Sequence, residues 1–139
     1  MSRYDLYARR YPLLPLKNVV IFPRNIVTLL VGRTRSIQAI EEAMTRDRRV
    51  VVTAHRDGDV EEPRPEDLHV IGTLVEVVQM DRQQGNNSVQ VVLEGVARVR
   101  LSQFDNSRPF YTVAVDEPRE TEVSPVESRA TMAHVQALA

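Results

Sequence analysis

Short apolar runs separated by turn-forming residues dominate the pattern along the chain. Residues 13–16 and 26–31 each have the length of a strand, and between them Val19, Val20, Ile21 and Phe22 form a third run that stops at Pro23. Proline lacks an amide hydrogen and pushes the residue before it into an extended conformation, so no regular central strand continues through it and the chain must turn there. Residues 26–31 are apolar on both alternating faces, which suits a strand covered on both sides, as in a small barrel, and Gly32 ends it. From about 36 to 47, Ile37, Ile40 and Met44 recur at helical spacing with Ala43 beside them, while Gln38, Glu41, Glu42 and Arg46 fall opposite. This predicts an amphipathic helix, capped by Thr34 or Ser36 and docked on the barrel. The β-branched run 49–54 follows at once, and a helix between strands suggests a crossover.

Downstream, the polar, proline-containing residues 55–67 read as an exposed loop with a short helical turn near Pro65. A long strand over 70–80 places Ile71, Thr73, Val75 and Val77 on one face and Val70, Leu74, Val78 and Met80 on the other. The stretch 81–88 is hairpin chemistry, since Gly and Asn tolerate positive φ, and 89–94 returns antiparallel. Gly95 is expected to break that run, after which Ala97, Val99 and Leu101 alternate with Arg98 and Arg100 as in a half-buried strand. A turn at 105–109 leads to a last strand over 110–115. About six strands and one helix make a β-rich α+β domain over residues 11–117, behind a lead-in at 1–10. Residues 118–139 read as a linker and the beginning of a helical segment, with Ser124 capping Pro125 and a stripe of Val126, Met132, Val135, Ala137 and Leu138. A helix that short is marginal alone in water, so the expectation is a piece of a longer chain, the alternative being a helix packed on the barrel.

The order L-P-L-K-N-V-V-I-F-P at 14–23, L-x-V-G-R at 29–33, S-I-x-A-I-E-E-A-M at 36–44 and P-x-P-E-D-L at 63–68 resembles the N-terminal domain of the ATP-dependent Lon proteases. V-I-G-T-L-V-E-V at 70–77 and V-V-L-E-G-V-A-R-V at 91–99 fit the same family in the same order, so the likeness spans about residues 11–115. The resemblance implies a PUA-like pseudo-barrel followed by a helical segment. It also implies a role in capturing unfolded or damaged proteins for a ring-shaped ATPase-protease. The remainder of the Lon chain, with ATP and Mg, a Ser-Lys dyad and a hexameric ring, is then implied for the parent enzyme, and self-association for this part.

Composition narrows the chemistry. A chain of 139 residues, 42% of them hydrophobic, supports one core, and a formal net charge of −1 gives no global field toward nucleic acid or an anionic membrane. There is no cysteine, which excludes disulfides, thiolate zinc sites and cysteine nucleophiles. No run has signal-peptide or membrane-spanning character, so the expected location is the cytoplasm. No G-x-x-x-x-G-K-[ST] motif occurs, and Lys17, the only lysine, has no neighbouring serine, so the catalytic parts of a Lon protease are not expected in this stretch. Residues 57–62 look like the start of a calcium loop, but Glu62 stands where glycine is required and Leu68 where a bidentate glutamate belongs. His55, His69 and His134 lack zinc-ligand spacing. No metal, cofactor or catalytic residue is therefore expected here.

The candidate binding site is the proline corner. Ile21, Phe22 and Pro23 are bulky and apolar where the backbone must leave the sheet, and Met80 lies where the long strand gives way to its hairpin. An exposed apolar patch in a soluble protein marks a binding surface, and methionine adapts to varied partners. The same side chains packed into the barrel bottom are the competing possibility. Two other functions stay open: a stand-alone adaptor or scaffold of the same family, and RNA binding through Arg82, Arg98, Arg100 and Arg108. Scarce aromatics disfavour the RNA reading.

Overall fold

The computed structural model describes residues 9–16, 20–54, 68–83, 85, 87–106, 108–118 and 134–138. The expected loop at 55–67 lies outside them, as do Val126, Met132 and the lead-in up to residue 8. Strands β1 (Arg10–Leu16) and β2 (Ile26–Val31) precede helix α1 (Thr34–Met44), and β3 (Arg49–Ala54), β4 (Ile71–Arg82), β5 (Val89–Asp105), β6 (Thr112–Asp116) and β7 (His134–Leu138) follow. The sheet order is β4-β3-β1-β6-β5-β2-β7, and β4 also pairs with β5, so five of the strands close into a barrel. Closure leaves no free edge within that ring, while β2 and β7 extend the sheet outside it from β5. β1 and β3 run parallel, Leu13 opposite Val51, joined through β2 and α1 as the crossover pattern requires.

β5 is the shared element. Its first half pairs with β2, from Val89 opposite Val31 to Glu94 opposite Ile26, and its second half pairs with β6. Gly95 does not break this strand. Val96 is instead an extra residue between Leu74–Ala97 and Val75–Gly95, and Val78 is a second extra residue on β4, between Val77–Leu93 and Gln79–Val92. Such bulges let a long strand bend around a barrel while the ladder continues on either side.

Alternation along the strands divides the interior into two cores. Leu14, Leu16, Ile21, Val27, Leu29, Val50, Val52 and Leu93 pack with Ile37, Ile40 and Ala43 of α1. Leu13, Val51, Leu74, Val99, Leu101 and Val113 pack on the other side with Tyr11 and Leu68. The helix begins two residues earlier than its periodicity predicts: Arg33 is the N-cap and makes no side-chain cap bond, while Ser36 is buried. It ends at Met44, where the Thr45 hydroxyl donates to the Glu42 carbonyl at 2.7 Å. The chain leaves through Arg48 in the left-handed region at φ 64.

The C-terminal expectation is overturned as well. His134–Leu138, assigned to the C-terminal helix, is a strand parallel to β2 with His134 opposite Ile26 and Leu138 opposite Leu30. Pairing with an available edge outweighs the weak helical stripe of so short a segment.

Candidate functional site

The corner between β1 and β2 is a hydrogen-bonded turn. The Asn25 amide donates to the Phe22 carbonyl at 3.0 Å, with Pro23 in the second position and Arg24 in the third at φ 72. Proline second and a positive φ third are the marks of a type II turn, so the break that Pro23 imposes becomes a defined reversal. Gly95 ties this turn to β5. The Arg24 amide donates to its carbonyl and its own amide donates to the Asn25 carbonyl, each at 2.9 Å. A Cβ at position 95 would lie 2.3 Å from the Phe22 carbonyl oxygen, so glycine is what allows the two backbones to meet.

The structure separates the four candidate binding residues. Ile21 is 1% exposed and belongs to the core beside α1, which corrects its assignment to an open patch. Its alternation with Phe22 sends its side chain inward, and full burial of such a side chain is worth about 1.5–3 kcal/mol. Phe22 and Pro23 are half-buried. Met80 is half-buried against the same core, and its register places it opposite Val91, about 13 Å of strand from Gly95. The large apolar side chains most open among the described residues are Val20, at 54%, Val78 and Val70. Val20 directly precedes the corner, and Val78 is the bulge residue on β4. Periodicity assigned Val78 to a strand face, and only the bulge turns it outward.

Beneath the corner lies a polar brace. Arg98 Nη1 donates to Thr73 Oγ1 at 2.7 Å, the Thr73 hydroxyl donates to the Ile21 carbonyl, and the Arg98 guanidinium sits over the Phe22 ring at 5.7 Å. This corrects the expectation that Arg98 faces water as part of a basic patch. Arg82 is likewise paired with Glu41, and Arg108 with Glu42 at 3.0 Å. The Asn25 side-chain oxygen is buried in the corner with no hydrogen-bond partner.

Two shallow clefts, of about 290 and 340 Å³, flank the start of β1 and share Arg10, Pro12 and Arg46. Their arginines are engaged: Arg9 with Asp47 at 3.1 Å, Arg46 with Glu42 at 3.0 Å, and Arg10 with the carbonyls of Gln103 and Thr112. Tyr11, in the second cleft, has its phenol pushed above 10, first by burial and then by the Asp47 carboxylate. Among the described residues no group of three or more His, Cys, Asp or Glu is placed to hold a metal ion. No helix among them is long and apolar enough to cross a membrane.

Comparison with known proteins places this geometry. The chain is 37% identical over 121 residues to a Lon protease of Desulforamulus reducens, covering 87% of this chain and 15% of that relative. It is 39% identical over 105 residues to a Lon protease of Halothermothrix orenii, covering 76% of this chain and 13% of the relative. The chain thus spans about one-seventh of the length of the curated relatives it matches. Its fold is shared with the N-terminal domain of the Mycobacterium avium complex Lon protease, at a TM-score of 0.62 and 18% identity over 85% of this chain and 59% of that one. A Lon N-terminal domain protein from Xanthomonas campestris gives 0.59 and 17% over 78% and 59%. The family defined as the ATP-dependent protease La (LON) substrate-binding domain matches residues 10–139, and the chain belongs to that family.

Proposed function

We propose that this domain is the non-catalytic substrate-recognition part of an ATP-dependent Lon protease and that it holds unfolded or damaged polypeptides against its proline corner. The supporting observation is the arrangement at residues 20–25. Val20, Phe22 and Pro23 offer apolar surface to solvent on a turn locked to β5, with Ile21 sealed beneath as its anchor. Met80 and Val78, both on β4, supply further apolar surface beside β5, the strand to which the turn is tied, and methionine adapts to varied partners. A rigid corner loses little entropy on binding, and unfolded clients supply the matching apolar side chains. Each large side chain buried contributes about 1.5–3 kcal/mol before ordering costs, so one domain binds weakly. Several copies on a ring, the hexamer of the parent enzyme, raise the effective affinity by avidity. ATP and Mg act in the remainder of that chain, where client unfolding and peptide cleavage take place.

The test is the affinity of Phe22→Ala combined with Met80→Ala for a heat-denatured client, with folding checked by circular dichroism. A loss of about tenfold or more is expected. Unchanged affinity in a folded variant would remove the corner from the account.

A further inference from the structure

β2 starts where the corner ends, Ile26 following Asn25 directly. One side of β2 is filled by β5. Among the described residues the other side carries only β7, the outermost strand of the sheet order, which runs parallel to β2 for five residues. We propose that this side of β2 is a strand-addition site for extended polypeptide, and that residues 134–138 occupy it as an internal stand-in for a client. The proposal rests on the client-capture reading and deepens it by naming the kind of contact the client makes.

Side chains differ from client to client, but backbone N–H and C=O groups do not. A strand edge therefore recognises any extended chain through its main chain, and the adjoining apolar corner favours those that carry exposed hydrophobic residues. The stand-in suits this role. Its sequence, His-Val-Gln-Ala-Leu, alternates without charge, its pairing is short, and parallel pairing is slightly weaker per residue than antiparallel. Being tethered, it acts at an effective concentration on the order of millimolar, so a client with comparable main-chain affinity competes with it at a disadvantage until several contacts form.

The experiment uses the whole 139-residue chain, in which the absence of cysteine makes engineered thiols unique. Thr28 and Gln136 are direct partners in the β2–β7 register, so Thr28→Cys with Gln136→Cys closes a disulfide across the edge. The probe is fluorescent carboxymethylated α-lactalbumin, a permanently unfolded chain. Oxidation is expected to weaken its binding by about tenfold or more, and reduction to restore it. Ala137→Pro, which strips an amide from the stand-in, is expected to strengthen binding several-fold. A synthetic peptide of residues 131–139, added to the Ala137→Pro chain, gives a second readout. N-methylation of one alternate set of its amides should abolish binding and methylation of the other set should not, because only every second amide faces the edge.

Failure of the thiols to pair would show that residues 134–138 do not sit on β2 and would overturn the stand-in. Equal client binding in the oxidised and reduced forms, or equal effects of the two methylation sets, would overturn strand addition. If the lock has no effect while Phe22→Ala with Met80→Ala weakens binding, strand addition falls and the corner stands. If neither changes binding, client capture falls with both.

Discussion

The Arg98 guanidinium carbon lies 5.7 Å from the centre of the Phe22 ring while the same side chain donates to Thr73 Oγ1 at 2.7 Å. One residue of β5 thus fixes both the face of an aromatic ring and the hydroxyl that holds the carbonyl just before it. An arginine does this where a lysine does not, because its planar guanidinium stacks on the ring and still has donors to spare. Arg98→Ala is expected to destabilise the domain by about 1–3 kcal/mol and to weaken client binding more than that loss explains, since Phe22 loses its platform. Arg98→Lys should recover little of the binding. Denaturant titration beside a binding isotherm separates the two effects, and a variant with normal client affinity would show that the platform is dispensable.

Gly95 is the second support of the corner. Alanine there would set a methyl 2.3 Å from the Phe22 carbonyl oxygen, a backbone atom that the turn's own hydrogen bonds hold in place. Gly95→Ala should therefore cost about 1–3 kcal/mol, the usual range for overpacking with a backbone shift. It should also raise amide exchange at Arg24 and Asn25 ahead of the rest of the domain. Exchange that stays uniform across the domain would mean that the corner and β5 are not coupled.

Tyr11 predicts an alkaline limit to stability. Burial and Asp47 hold its phenol above 10 in the folded state, so the folded protein binds that proton more tightly than the unfolded chain does. The contribution is complete below the unfolded value of about 10 and is lost as pH rises through the higher folded value. Urea midpoints should be level from neutral pH to about 10 on this account and then fall, with a smaller fall in Tyr11→Phe. Identical pH profiles for the two proteins would contradict it.

The strand at 26–31 and the existence of the helix, though not its bounds, were legible in the sequence because their periods are strong and local, apolar on both strand faces in one and helical in the other. The proline corner was legible as a turn because the constraint at Pro23 is covalent. Its facing was not: nothing local says whether Ile21 or Phe22 points inward, and the packing of α1 decides it. Val78 and Val96 were missed as bulges because a bulge is a mismatch between two strands rather than a property of either. Arg98 alternates with Val99 and so read as a wet-face residue, although the tight approach at Gly95 brings Phe22 over it. At 134–138 a faint helical stripe competed with a sheet edge that only the assembled barrel provides.

Site-specific photocrosslinking measures most directly whether clients meet the corner. p-Benzoylphenylalanine in place of Phe22, and separately in place of Gln38 on α1 as a control, would be irradiated with a denatured client bound. Crosslinks concentrated at position 22 are expected. Equal yields at both positions, or none at 22 while the client remains bound, would contradict capture at the proline corner.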